Sequence, residues 1–201
     1  MIEVRGEVMS RIPVTTAKEK CFVVVSGLPG SGKSTLSCPL ALALGLRFLD
    51  KDTILERLFE SKGVGDIECR CELSRESDLI LQSEAATSHG AVLVSHWRLP
   101  GMPPNSGTPT NWLSELSGKL VHVHCECPVE VAAGRFVRRQ RHPGHLDNQR
   151  SRSEVLSSIY RVASLGRLGI VPRIDVDTSQ VPKLDEVLCE VRRALTLCGR
   201  D

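Results

Sequence analysis

The sequence predicts an α/β domain: a parallel five-stranded sheet covered on both faces by helices. Three observations predict it. Strand-like runs, several of them continuously apolar and β-branched, recur along the chain with helical stretches between them. That alternation belongs to a parallel sheet whose strands are buried on both sides. The first run, 22–25, breaks into a glycine-rich turn that opens a helix. Finally, 201 residues suffice for one such core and would cramp two full domains.

Residues 1–20 are polar and weakly patterned, which reads as an N-terminal extension with room for one short edge strand, ahead of a single domain over 21–201. After the strand at 22–25, residues 34–44 have a helical pattern, and Gly45 supplies a C-terminal stop. Residues 46–50 form a short second strand ending in acid. Asp52 or Thr53 caps the next helix, 54–60. A loop spans 61–66. Apolar residues at Leu73, Leu79, Ile80 and Ala85 or Ala86 then predict a long amphipathic helix over 72–89. The third strand is 91–95, and the proline- and glycine-rich stretch 99–109 is a surface loop or a mobile flap. A short helix at 111–116 precedes the fourth strand, 119–125. Pro128 suits the first turn of the following helix, where its missing N–H is not needed. That helix runs to Gln140 or Arg141, residues 141–150 interrupt it, and 153–164 resume it. The fifth strand is 173–176 and the closing helix 183–197.

The turn after the first strand reads Gly27-Leu-Pro-Gly30-Ser31-Gly32-Lys33-Ser34-Thr35, the G-x-x-x-x-G-K-S pattern of a phosphate-binding loop. Its glycines admit positive φ and let the backbone approach a ligand. The N–H groups along Gly27, Gly30, Ser31, Gly32, Lys33, Ser34 and Thr35 then converge on phosphate oxygens at a helix N-terminus. Lys33 reaches the β- and γ-phosphates of ATP, and the Ser34 hydroxyl takes a place on Mg²⁺. Ligands collect outside the carboxyl ends of such strands. Asp50 and Asp52 stand at the second strand's end, so Asp52 is a candidate base for a substrate hydroxyl, or simply a helix cap. Asp50 supports the metal or the structure.

A second cluster holds Arg135, Arg138, Arg139, Arg141, Arg150 and Arg152 around the Pro143-Gly144 turn. The spacing of Arg135, Arg138 and Arg139 puts them on one helical face. They make a phosphate-clamping lid or a solvated basic face. His142 and His145 flank the turn, as phosphate contacts or turn stabilisers. Arg98, beside Trp97 at the third strand's end, either meets a polar acceptor or snorkels over the core edge. His122 and His124 alternate in the fourth strand and face one side, as core or helix-packing residues. The cysteine pairs Cys69-x-Cys71 and Cys125-x-Cys127 are spaced too tightly for ordinary zinc ligation. A net charge of +2 and 3% aromatic residues argue against nucleic-acid partners. The charged N-terminus lacks a signal peptide's apolar centre, and no apolar run could span a membrane, so the expected location is cytoplasmic.

The loop sequence followed by Leu49-Asp50-Lys51-Asp52-Thr53-Ile54 resembles the small P-loop kinases, in particular the zeta-toxin-like and chloramphenicol-phosphotransferase-like group, together with ATP-binding proteins often labelled only as AAA-family ATPases. Arg135-x-x-x-Arg139-x-Arg141-His142-Pro143-Gly144-His145 is similar to that group's lid. Asp175-Val176-Asp177-Thr178 looks like its final strand, whose following loop packs on adenine. The resemblance runs from about residue 21 to the C-terminus. It implies a three-layer P-loop NTPase fold with an arginine-rich lid at about 135–152. It also implies Asp52 as base toward the substrate, Lys33, Arg135 and Arg139 as catalytic groups, Ser34 and Asp50 on magnesium, and Arg139, Asp177 and Thr178 at the nucleotide. One departure is Val94-Ser95-His96, where relatives often carry an aspartate. It shifts metal binding toward Asp50 and Asp52. Segments 58–75 and 96–110 match no family pattern. The expected activity is transfer of the γ-phosphate of ATP, with Mg²⁺, to a small-molecule hydroxyl acceptor: an antibiotic, a sugar or a nucleoside. The alternatives are a nucleotide-dependent switch, which needs neither Asp52 nor the lid, and toxin-like phosphorylation of a sugar nucleotide.

Overall fold

A computed structural model describes residues 19–198, so the edge strand considered for the N-terminal extension lies outside the described residues except at its last two positions. Five strands, β1 (Cys21–Gly27), β2 (Arg47–Asp50), β3 (Gly90–Val94), β4 (Lys119–Glu126) and β5 (Arg173–Asp177), form one sheet in the order β2-β3-β1-β4-β5. All four pairings are parallel. The β-branched runs explain the middle of the sheet. Val23, Val24 and Val25 are wholly buried, with Val25 in register with Val94 on one side and Val123 on the other.

Helices α1 (Lys33–Leu44) and α6 (Leu184–Leu197) cover one face, where Leu36, Leu40, Val187 and Val191 pack on Val23, Val25, Val92 and Val121. The other face packs Phe22, Val24 and Leu93 against α2 (Lys51–Lys62), α3 (Ile67–Thr87) and the segment with Trp97, Leu99 and Trp112. Helices α4 (Val129–Arg138) and α5 (Arg152–Ser164) form a hairpin closed by Phe136 and Ile159, and Leu28 of the glycine-rich loop packs against it. Three-residue 3₁₀ turns, Pro143–His145 and Asp147–Gln149, lie between α4 and α5. The predicted three layers and five parallel strands are therefore present.

Several boundaries differ for local reasons. Asp50, not Asp52 or Thr53, caps α2: its Oδ1 accepts from the Asp52 N–H at 2.9 Å. Helix α3 begins five residues earlier than its apolar pattern, because Asp66 caps it through the Cys69 N–H. Its inward face is Leu73, Ser77, Leu81 and Ala85, and Leu79 points outward at 67% exposure. Helix α4 stops at Arg138, so Arg139 lies beyond it and does not extend the face of Arg135 and Arg138. The stretch 99–109 is a fastened strap. Trp97 donates to the Val25 carbonyl at 2.8 Å, and the Ser95 and Thr108 hydroxyls meet at 2.5 Å.

Candidate active site

Glycines shape the loop between β1 and α1. Gly27, Gly30 and Gly32 have φ of 141°, 83° and 89°, which side chains rarely allow. A Cβ on Gly30 would stand 2.1 Å from the Ala132 carbonyl oxygen, so this glycine also lets the loop lie against α4. Helix α1 begins with no side-chain cap and no acid in its first turn. By contrast, α2, α3 and α5 are capped by Asp50, Asp66 and Ser151. The uncapped N–H groups and positive dipole end of α1 suit an anion. Ser31 is fully buried here and its Oγ has no hydrogen-bond partner. A phosphate oxygen in the cradle would satisfy it.

Lys33 Nζ donates to the Gly27 and Leu28 carbonyls at 3.1 and 2.9 Å. Burial holds its pKa below the usual lysine value, against the opposing effects of Cys125, Asp52 and Asp50. Ser34 Oγ donates to Asp50 Oδ2 at 2.6 Å, and Thr35 follows on the exposed side of α1. Asp50 is 7% exposed. Its pKa is raised, first by burial and then by Asp52, despite the hydrogen bonds from Ser34 and the Asp52 N–H. A buried carboxylate beside a serine hydroxyl, with no ion-pair partner among the described residues, is a set of hard oxygens that fits Mg²⁺. That ion takes one or two protein oxygens and keeps its waters.

Asp52 faces the lid. Its Oδ2 accepts from Arg141 Nη2 at 2.5 Å, while Arg141 Nη1 reaches Asp147 at 3.1 Å. Burial pushes the Asp52 carboxyl up, but Arg141, His145, Arg139 and Lys33 together outweigh it and hold the pKa below the usual aspartate value. Asp52 is thus ionised at neutral pH. The lid tip is seated by more than this pair. On α2, His145 Nε2 meets Glu56 at 2.9 Å and the Phe59 ring stacks on His142, and from α3 Arg70 donates to the His145 carbonyl at 3.1 Å. Asp52, Glu56 and Phe59 are spaced i, i+4, i+7, so they meet the tip from one face of α2.

The remaining candidates fall in different places. Arg135 donates to the Thr178 and Ser179 carbonyls, both at 2.6 Å, and ties α4 to the turn after β5. Thr178 is buried against the Glu126 carbonyl, and Asp177 caps the Ser179 N–H at 2.8 Å. Arg139 lies over the Phe136 ring, 4.4 Å from its centroid. Arg98 turns back onto the Ser106 and Gly107 carbonyls, at 2.9 and 3.2 Å, and so fastens the strap. Two residues that the sequence reading left without a specific role belong beside the site. Arg141 was legible as one arginine of the lid motif, but not as the partner of Asp52. His96, two residues past β3, has its pKa lowered to about 4, first by burial and then by Lys33.

No protein-family model matches the chain. Over 122 residues it is 32% identical to a cytidylate kinase from Ignicoccus hospitalis, a match that covers 58% of this chain and 63% of that relative's length. It is 26% identical over 170 residues to an adenylyl-sulfate kinase from a Synechococcus strain, with 82% and 81% covered. Among solved structures, one described as a candidate kinase from Chloroflexus aurantiacus superposes with a TM-score of 0.73 at 26% identity, over 89% of this chain and all of the other. The chain has the P-loop NTPase fold, shared with relatives and neighbours that are named as kinases.

Proposed function

We propose that the chain is an ATP- and Mg²⁺-dependent phosphotransferase that moves the γ-phosphate of ATP to a hydroxyl of a small molecule. One observation carries the reading: Asp52, ion-paired with Arg141 of an arginine-rich lid, stands two residues past the Asp50 that accepts from Ser34 of the phosphate loop. A nucleotide-dependent switch would need the loop but not that carboxylate. The names of the similar proteins point the same way.

In the step proposed, the acceptor oxygen bonds to the γ-phosphorus as the bond to the β,γ-bridging oxygen breaks, and ADP leaves. The acceptor proton passes to Asp52. The loop amides orient the phosphates, and Lys33 follows the charge that moves onto the leaving oxygen. Ser34 and Asp50 would hold Mg²⁺, which would supply charge to neutralise the phosphate oxygens. Arg139 and Arg141 border the acceptor side of this group. Arg135 holds the turn at 178–179 where adenine would pack, with Asp177 and Thr178 as its nucleotide-side residues. The finer resemblance, to the zeta-toxin and chloramphenicol-phosphotransferase group, rests on Asp50-Lys51-Asp52 and the lid sequence. With it go a cytoplasmic setting and an antibiotic as one candidate acceptor.

Asp52→Asn tests the reading. Asparagine keeps the size but cannot take the proton. Transfer should fall by roughly 10²- to 10⁴-fold, while ATP affinity stays within about tenfold, because loop amides and Lys33 carry it. Transfer at the wild-type rate would remove Asp52 from the role of base. Loss of ATP·Mg²⁺ binding instead would move it to the metal site.

A further inference from the structure

On the sheet face away from α1 and α6, a cavity of about 920 Å³ opens beside Gly27 and Leu28 of the phosphate loop. Trp97, Leu99 and Leu168 give it an apolar wall continuous with the core of that face. His96 and His124 are its neutral polar groups, both brought down to about 4, first by burial. Lys33 Nζ donates to the carbonyls of Gly27 and Leu28, both in the lining, so this end of the cavity adjoins the phosphate loop and the proposed transfer site.

Charge says what the cavity can hold. Four charged side chains reach its lining, two of each sign: Glu126, Asp177, Arg167 and Arg173. Arg167 pairs with Glu126 and, at 3.6 Å, with Asp175. Arg173 pairs with Asp175 at 3.0 Å. Both lining cations therefore face carboxylates already, and the charges of the lining balance, so no unpaired cation in it selects a phosphate or carboxylate ligand. Size narrows the choice further. The volume is near the top of the ~300–1,000 Å³ range of pockets that enclose drug-sized ligands, and a six-carbon hydroxy acid would leave most of it unfilled.

Hydrogen bonding gives the ligand a polarity. Ser26 Oγ lies 2.7 Å from His122 Nε2 and 2.8 Å from His124 Nδ1. Its one proton can serve only one of them. His122 Nδ1 has no hydrogen-bond partner among the described residues. Ser26 links the two rings, giving its proton to one and accepting from the other. His124 Nε2 is that ring's second hydrogen-bonding atom, suited to a ligand hydroxyl, which both donates and accepts.

Resting on the phosphotransferase reading, we propose that this cavity is the acceptor pocket and takes an uncharged, hydroxyl-bearing ring compound of about nucleoside size. Its apolar face lies on Trp97 and Leu168, a hydroxyl hydrogen-bonds to His124, and the reacting hydroxyl emerges past His96. The transfer itself balances as given above, with the proton on Asp52 and ADP as the second product.

Trp97 makes the pocket readable without any turnover. In a Trp112→Phe background it is the single tryptophan, and its fluorescence is titrated with uridine, adenosine, phenyl β-glucoside, the two nucleoside 5′-monophosphates and gluconate. At least one uncharged probe should quench saturably and bind at least tenfold more tightly than the anionic probes. Gly169 lines the cavity, and a Cβ there meets nothing within 4 Å. Gly169→Phe should therefore fold and weaken that binding at least tenfold. Saturation by no uncharged probe, tighter binding of the anions, or unchanged binding in Gly169→Phe each overturns the proposal. ATP consumption with the same probes separates the two readings. Binding blocked by Gly169→Phe but without transfer leaves the pocket standing and sinks the kinase. Transfer that Gly169→Phe does not touch does the reverse.

Discussion

Arg141 and Asp52 set the chemistry of the site at the scale of single residues. The guanidinium is nearly buried, the carboxylate half exposed, and the two meet at 2.5 Å. A base whose pKa is depressed stays ionised to low pH but is weak. The lid arginine therefore fixes both the availability of Asp52 and its strength. The sign of the pH dependence follows. A carboxylate whose folded pKa lies below its unfolded value adds stability that is present above the unfolded pKa and lost as pH falls through the folded one. Arg141→Ala removes the strongest of the opposing charges and leaves burial in place, so the Asp52 pKa should rise. The acid limb of the turnover profile should then begin at higher pH in the variant, with ATP affinity little changed. An acid limb at the wild-type position would show that Arg141 does not control the base.

The docking of the lid tip belongs to the scale of elements. Gly144 packs so closely on Phe59 that a Cβ would stand 2.5 to 2.7 Å from three ring carbons. Gly144→Val should therefore lift the 141–147 segment from α2, lower turnover by about tenfold or more, and raise amide exchange over that segment while the sheet's exchange stays as it was. Equal exchange in the two proteins would mean that the tip is held elsewhere. The sequence carried part of this. The phosphate loop, its strand and its helix were legible because glycine spacing and apolar runs are local signals. So were Asp50 and Asp52, read from a strand's end. The start of α3 was not, since Glu68, Arg70 and Cys71 carry no amphipathic pattern and only the Asp66 cap marks it. Nor was the separation of Arg139 from Arg135, because where α4 ends depends on how the tip packs on α2. The partners of Arg98 and Arg141 are equally non-local. One side chain fastens a strap through carbonyls eight and nine residues ahead, and the other bridges 89 positions to Asp52.

The whole molecule is two apolar layers around one sheet, and the proposed labour divides along them. Helices α1 and α6 back the phosphate loop on one side, while α5 and the strap line the proposed acceptor pocket on the other. Both tryptophans, Trp97 and Trp112, lie in the second layer. If the sheet couples the layers into a single cooperative unit, damage to the first must be felt by reporters in the second. Leu40 of α1 and Leu81 of α3 are each wholly buried, on opposite faces. Leu40→Ala and Leu81→Ala should each cost roughly 2–5 kcal/mol, through lost transfer energy and the cavity left behind. The sheet's thickness separates the two sites, so in the double variant the costs should add within about 0.5 kcal/mol. In Leu40→Ala, denaturant transitions followed by tryptophan fluorescence and by far-ultraviolet circular dichroism should shift together. If the tryptophan transition stays at its wild-type midpoint while the dichroism shifts, the layers unfold separately.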